Sequence, residues 1–258
     1  MTAEHDVRTP VEGLQVTTDG HVRTLTMDRP QRRNALVGAV LDAIATELGD
    51  LDDEVRVVVL TGQGTAFCAG QDLADPDVAE EGADLGVTVE RWNAGVRAVR
   101  DARTPVVAAV NGVAAGAGAN LALACDLVVA TRSAKFLEPF AGLGLVPDGG
   151  GTWVLPRLVG AQRAAALTML GAPLSAEQAA DWGLIAEVVD DDDFAERVMA
   201  VAGTIAKLPP QGMAATKRAL RASLTNDLDT QLDLERQLQS QAGAGEEYRQ
   251  ALAAFLRR

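Results

Sequence analysis

The most constraining feature of this chain is a set of uninterrupted apolar runs built on β-branched residues. They are "RVVVLTG" (56–62), "PVVAAV" (105–110) and "LVVAT" (127–131). A strand with one wet face alternates apolar and polar residues. A run that is apolar at every position reads as a strand buried on both faces. Helical spacing lies between these runs, with Val37, Leu41, Ile44 and Leu48 in "VGAVLDAIATEL" (37–48) recurring at helical intervals. Strands alternating with helices predict an α/β core. With 258 residues and 48% apolar content the chain can bury one.

Around this centre the pattern is readable in pieces. Residues 14–18 and 21–27 predict a hairpin about Asp19-Gly20, with alternation in "HVRTLTM". A polar stretch at 74–86 predicts a mobile loop, followed by a helix that Pro105 ends near Arg103. A short helix is expected at 116–124, helices at 152–170 and 175–182, and a last strand at 184–189. From about 194 the pattern is helical, and a helix from about Thr225 to Phe255 carries Leu228, Leu232, Leu234 and Leu238 among charges. We divide the chain into a core (1–200) and a helical C-terminal region (201–258). No repeat of fixed period is evident.

Charge and composition remove several functions. The net charge of −13 argues against a nucleic-acid partner, so an anionic ligand needs a local basic patch. His5 and His21 are the only histidines, and Cys68 and Cys125 lack metal-ligand spacing, so no metal site and no His-based triad is expected. No apolar leader opens the chain. The apolar stretch from Pro105 to Ala130 is broken by Asn111, Asn120 and glycines, which predicts core and no membrane partner. A cytoplasmic setting is expected.

Two turns could carry chemistry. "GQGTAFCAGQDL" (62–73) follows one buried strand, and "NGVAAGAGAN" (111–120) follows another and opens a helix. Helix N-termini leave N–H groups unpaired, and Gly and Ala let a ligand approach the main chain. Two such turns can aim backbone N–H groups at one oxygen and form an oxyanion hole. Either turn taken alone reads better as a tight packing turn. Neither carries G-x-G-x-x-G or G-x-x-x-x-G-K-[ST], so no dinucleotide or P-loop site is expected.

The blocks "AFCAGQDL", "PVVAAVNGVAAGAGANLALACDLVVA" and "FAGLGLVPDGGGTWVLPRLVG" resemble the enoyl-CoA hydratase/isomerase (crotonase) superfamily, and the likeness runs from "LTMDRPQRRNAL" to the last helix. It implies a spiral of ββα units with a C-terminal helical region that assembles homotrimers, often paired into hexamers. It also implies an acyl-CoA thioester substrate, whose coenzyme A is part of the substrate rather than a cofactor. The oxyanion hole would be the main-chain N–H of Gln71 and Ala117, where the family usually has Gly at the second position. Ala69 and Gln71, Asp72, Leu73 and Ala74 would line the thioester and adenine end. Arg29, Arg32 and Arg33 would lie by the coenzyme A phosphates, unless they simply form a solvated turn.

Hydratases of this family carry two glutamates that handle water, and their places fall at Asn120 and Phe140, neither able to act as a general base. Phe140 would instead line the acyl site. The remaining acid is Asp148 in "GLVPDGGGTW", which resembles the isomerases of the family, above all those that act on ring epoxides of phenylacetyl-CoA. Asp148 would then be the acid/base. A plain alternative makes it the N-cap of a helix starting near Gly150. Glu138 reads as structural. The expectation is an acyl-CoA isomerase acting on a ring epoxide or a Δ3-enoyl thioester. A generic enoyl-CoA hydratase and a catalytically silent acyl-CoA-binding protein are the alternatives.

Overall fold

The computed structural model describes residues 6–80 and 82–257. Its strands are β1 (Asp6–Val11), β2 (Leu14–Asp19), β3 (Val22–Met27), β4 (Val57–Gly62), β5 (Ala66–Cys68), β6 (Val106–Val110), β7 (Val113–Ala115), β8 (Leu127–Thr131), β9 (Lys135–Leu137), β10 (Leu174–Ser175) and β11 (Glu187–Val189). Its helices are α1 (Gly38–Gly49), α2 (Pro76–Ala79), α3 (Leu85–Asp101), α4 (Ala117–Leu123), α5 (Gly151–Val159), α6 (Ala161–Leu170), α7 (Ala176–Asp181), α8 (Phe194–Ala206), α9 (Pro210–Ala222), α10 (Leu228–Ala244) and α11 (Glu246–Phe255). The strands form a large sheet in the order β1-β2-β3-β4-β6-β8-β11 and a small one in the order β10-β9-β7-β5. The expected hairpin is there, with Asp19 paired to Val22, and β3 to β11 run parallel across the large sheet.

The apolar runs are continuous because the large sheet is covered on both sides. Val58, Leu60, Val106, Ala108, Val128 and Ala130 join the main core with α1 and α3. The alternate residues Val57, Val59, Val107, Ala109 and Val129 pack under Val198, Ala202, Ile205 and Ala206 of α8. The boundary expected at residue 200 thus falls inside a helix that covers the sheet.

Each turn of the chain lays one long strand in the large sheet, bends sharply, lays a three-residue strand in the small sheet and then enters a helix. β4-β5-α3, β6-β7-α4 and β8-β9-α5 are three such units, the expected spiral of ββα units. The bends bring backbone onto backbone. A Cβ on Gly62 would overlap the carbonyls of Ala66 and Phe67, and one on Gly112 would overlap that of Thr65. Asn111 ties two successive bends together, donating to the carbonyls of Gly62 (2.7 Å) and Gly64 (2.8 Å).

Several expectations are corrected. The stretch at 74–86 contains a helical turn, α2. The helix expected over 152–170 is two helices, because Gly160 sits at φ 79° between α5 and α6. The helix expected to Phe255 breaks at Gly245, and the last strand is confined to Glu187–Val189. α9 is anchored to the core by Lys217, whose ammonium pairs with Asp126 (2.7 Å) and donates to the carbonyl of Thr104 (2.9 Å). Arg221 holds the same carboxylate at 3.0 Å.

Candidate active site

The two Gly-rich turns do meet. A Cβ on Gly70 would lie 2.9 Å from the carbonyl of Ala115, 3.6 Å from the nitrogen of Ala117 and 3.7 Å from that of Gly118. Only glycine fits there, and its φ of 91° demands glycine as well. Gln71 forms a parallel bridge with Leu36. That bridge uses the carbonyl of Gly70 and the N–H of Asp72. The N–H of Gln71 belongs to the same trans peptide as the Gly70 carbonyl and points the opposite way, so it turns away from Leu36. Ala117 is the first residue of α4, where helix N–H groups have no partner within the helix.

The Gln71 side chain is tied down. Its carbonyl oxygen accepts from the indole N–H of Trp92 at 2.7 Å, and Trp92 is buried within α3. Trp92 was not among the residues expected at the site. The available signal was a lone Trp on a helix whose buried N–H has to find a partner.

The expected coenzyme A contacts separate into two groups. Arg32 and Arg33 are exposed on the turn after β3. Arg29 is half-buried, donating to the carbonyl of Ala35 and pairing with Asp72 at 2.8 Å. Burial pushes the Asp72 carboxyl up, but the N–H of Ala74 and the Arg29 guanidinium outweigh it and hold the group below the usual carboxylate range. Arg29 and Asp72 therefore brace the turn against each other. Ala69 is half-buried, while Leu73 and Ala74 are exposed.

Across from the turns lies a cluster of three polar residues. Asn120, one helical turn into α4, is fully buried and donates its amide to the main-chain carbonyl of Asp148 (2.9 Å) and toward Glu138 Oε2 (3.4 Å). The fit is close, since a Cβ on Gly151 would lie 2.5 Å from the Asn120 amide nitrogen and one on Gly149 3.3 Å from its Cβ. Burial pushes the Asp148 carboxyl up to about 6, against the pull of its own main-chain N–H. Burial likewise pushes Glu138 up to about 8; the Asn120 amide pulls it down and the charge of Asp148 adds to the rise. Asn120 Oδ1 and Asp148 Oδ1 are buried without a hydrogen-bond partner. Glu138, expected to be structural, thus sits in the same cluster as Asp148.

The N-cap alternative for Asp148 fails. The N-cap of α5 is Gly150 at φ 84°, with no side-chain bond to the helix, and it is the Asp148 carbonyl rather than its carboxylate that accepts from Gly151. Phe140 is buried, with its ring edge 3.4 Å from where a Cβ of Gly116 would be, so it walls the residue preceding Ala117. Among the described residues no group of three or more His, Cys, Asp or Glu is placed to hold a metal ion. The arrangement brings the two Gly-rich turns together at the start of α4 and sets a carboxyl raised to about 6 beside the buried Asn120 amide and Glu138.

Comparison with known proteins agrees with this geometry. The family model described as "Enoyl-CoA hydratase/isomerase" matches residues 17–258. The chain is 49% identical over 240 residues to the 1,2-epoxyphenylacetyl-CoA isomerase of Escherichia coli (strain K12), covering 91% of this chain and 92% of that protein. It is 44% identical over 254 residues to a probable enoyl-CoA hydratase of Rhodobacter capsulatus, covering 98% of this chain and 95% of the relative. The crystal structure of an enoyl-CoA hydratase from Bacillus anthracis superposes with a TM-score of 0.92 at 32% identity, over 95% of this chain and 96% of that one. A match along nearly the whole chain, joined to the ββα spiral and the paired turns, places the protein in the enoyl-CoA hydratase/isomerase family, with the crotonase fold.

Proposed function

We propose that this enzyme is an acyl-CoA isomerase in which Asp148 is the single acid/base and the N–H groups of Gln71 and Ala117 hold the thioester oxygen. The observation that carries this reading is the make-up of the polar cluster. Burial pushes the Asp148 carboxyl up to about 6 and leaves one of its oxygens without a partner, while an amide stands at 120 and a phenyl ring at 140, where hydratases carry carboxylates.

The chemistry follows from that inventory. With the thioester carbonyl accepting two main-chain hydrogen bonds, the carbon next to it becomes more acidic. Asp148, ionised at neutral pH, takes a proton from that carbon, and the electron pair moves into a dienolate whose negative oxygen the two N–H groups stabilise. Asp148 then returns the proton to the carbon two atoms further along, which shifts the double bond into conjugation. No atom is gained or lost, and one base on one face suffices. On a ring epoxide the same base would take the proton from the carbon next to the thioester and return it to a ring carbon as the epoxide C–C bond opens to the seven-membered oxepin ring, with both C–O bonds kept and no atom gained or lost. The isomerase relative at 49% identity favours a ring epoxide of phenylacetyl-CoA as substrate. The exposed Arg32 and Arg33 would meet the coenzyme A phosphates, and the reaction would need no cofactor beyond the coenzyme A that the substrate carries.

Hydration is the second reading, because Glu138 supplies another carboxyl beside Asp148. A group pushed up to about 8 stays protonated at neutral pH, so it cannot activate water as a base. Turnover of ring-epoxide, Δ3-enoyl and Δ2-enoyl thioesters, compared side by side, tests the assignment. Isomerisation of the first or second without hydration of the third is expected. Fast hydration of the third would overturn it, and tight binding without turnover would identify a silent acyl-CoA binder.

The assembly we propose is a homotrimer or a pair of trimers. Leu220, Leu228 and Leu232 of α9 and α10 are exposed, and a groove of about 810 Å³ lined by Leu208, Met213, Leu220, Leu232 and Leu238 runs between the two helices. Apolar surface on this scale suits a subunit contact. Among the described residues no helix is long and apolar enough to cross a membrane. Cys68 and Cys125 are free thiols, which suits the reducing cytoplasm.

A further inference from the structure

We propose that Glu138 is a positioning residue for Asp148, working as an uncharged carboxyl through Asn120, and that its ionisation disables the site. The inference rests on the reading of Asp148 as the acid/base. Its first support is connectivity. Glu138 is 3% exposed, at the end of β9, and its Oε2 meets the Asn120 amide, which also holds the main chain of Asp148. Shifting Asn120 would shift both the Asp148 loop and the helix that begins at Ala117. Its neighbour on the chain, Leu137, accepts from the N–H of Gly116, so β9 also fixes the residue before the oxyanion donor.

The second support is a donor count. Both hydrogens of the Asn120 amide are committed, one to the Asp148 carbonyl and one to Glu138. Asn120 Oδ1 and Asp148 Oδ1 are left as buried acceptors without donors. An ionised glutamate has only acceptors and would add to the deficit. A protonated one brings an O–H, the additional donor this cluster can supply to one of the two oxygens. The other oxygen is then free for substrate. An unpaired buried acceptor is costly, so the cluster itself favours the protonated form.

The third support is that, among the described residues, the elements packed around Glu138 bring it no cation that would ionise the group. α4 and β7 carry no ionisable side chain. On α6 the one charged residue, Arg163, lies over the ring of Trp182 at 5.0 Å. Lys135 of β9 is exposed. On α7, Glu177 pairs with Arg132, and Asp181 is a further acid. The charge that reaches Glu138 is that of Asp148, which adds to the rise caused by burial.

The experiment compares Glu138→Gln and Glu138→Met in the full-length protein with a turned-over thioester. Gln keeps one donor and one acceptor but cannot ionise, whereas Met fills the volume with neither. Glu138→Met is expected to lower kcat by about tenfold with KM little changed, a modest misplacement of the acid/base. Glu138→Gln should recover most of that loss. The wild-type rate should also fall above about pH 8, and that alkaline limb should vanish in Glu138→Gln. Wild-type kcat in Glu138→Met, or an alkaline limb that survives in Glu138→Gln, would overturn the proposal. A second readout needs no activity. Carboxyl-carbon NMR of the free protein should find Glu138 titrating far above an ordinary glutamate, with its midpoint lowered in Asp148→Asn. An ordinary midpoint refutes the inference even if the isomerase reading stands. A high midpoint in a protein without isomerase turnover sinks that reading and the positioning role with it, leaving only an uncharged Glu138 beside Asp148.

Discussion

Replacing Asp148 by Asn should make the protein more stable and nearly inactive, and both effects should depend on pH in a stated direction. The carboxyl rises from the model-compound value of 3.8 to about 6 on folding, chiefly because burial strips its water. About two pH units correspond to ~3 kcal/mol if the group were wholly shielded. The side chain is only partly buried, so solvent screening reduces this to about 1–2 kcal/mol. A group whose folded-state pKa is raised contributes its full stability below its unfolded pKa and loses it as pH rises through the folded value. The strain in the wild type therefore grows between about pH 4 and pH 6 and is complete above that window. Asn cannot ionise and escapes it. No helix cap is lost, because the N-cap of α5 is Gly150.

The assay is thermal melting of both proteins from pH 5 to pH 8, with turnover measured in parallel. The melting point of Asp148→Asn should exceed that of the wild type by roughly 2–6 °C at pH 8, and the gap should narrow toward pH 5. Turnover should fall ~10²-fold or more with KM little changed. The wild-type kcat/KM should itself decline as pH drops through about 6, where the base becomes protonated. A pH-independent gap, a less stable variant at pH 8, or turnover within tenfold of wild type would refute the reasoning.

Crotonyl-CoA hydration should be slow by a factor on the order of 10² to 10⁴ against a two-carboxylate hydratase, because Asn120 and Phe140 offer no base; a hydratase-like rate on that substrate contradicts it. Lys217→Met should lower stability by about 2–3 kcal/mol, at the low end for breaking a buried pair since Arg221 still holds Asp126. A melting point within a degree of wild type would show that α9 is held by other contacts. Light scattering at micromolar concentration should give the mass of three or six chains, and a monomer would leave the apolar surface of α9 and α10 unexplained.

The large sheet was legible because burial on both faces leaves a direct signature, and the hairpin because Asp19-Gly20 interrupts a clean alternation. The small sheet was not. Its strands β5, β7 and β9 are three residues long, too short to show a period of two, and they follow their long partners after a bend that reads simply as a turn. They also explain why Gly62 and Gly112 are needed, which no local pattern reveals. Helix breaks at Gly160 and Gly245 were invisible for a different reason. A Gly inside a helical pattern is tolerable, whether apolar as around Gly160 or polar as around Gly245, and only the start of α6 and α11 shows that the chain turns there. At the candidate site the chemistry-bearing motifs were readable, whereas Trp92 and the placement of Glu138 beside Asn120 were not. Both lie far in sequence from the groups they touch, and a side chain's partner across the fold has no spacing to betray it.

Asn120 and Asp148 belong together, and this bears on why we propose a single working carboxyl. The Asn120 amide reaches the Asp148 carbonyl at 2.9 Å as a donor. A glutamate at 120 is one methylene longer, and its ionised head can only accept, so it would face that carbonyl with like charge and no hydrogen to share. It would also be crowded, because a Cβ on Gly151 would lie 2.5 Å from the Asn120 amide nitrogen and one on Gly149 3.3 Å from its Cβ. Keeping a water-activating glutamate on α4 would therefore require the 148–151 loop to retreat, taking Asp148 with it. Two carboxylates at 120 and 148 would also repel in a site that already holds Glu138. A loop packed closely on Asn120 and the carboxylate pair that hydration needs are thus competing solutions of one small space. Under the proposed mechanism the glycines, the amide and the raised carboxyl of this chain all favour proton transfer by a single acid/base.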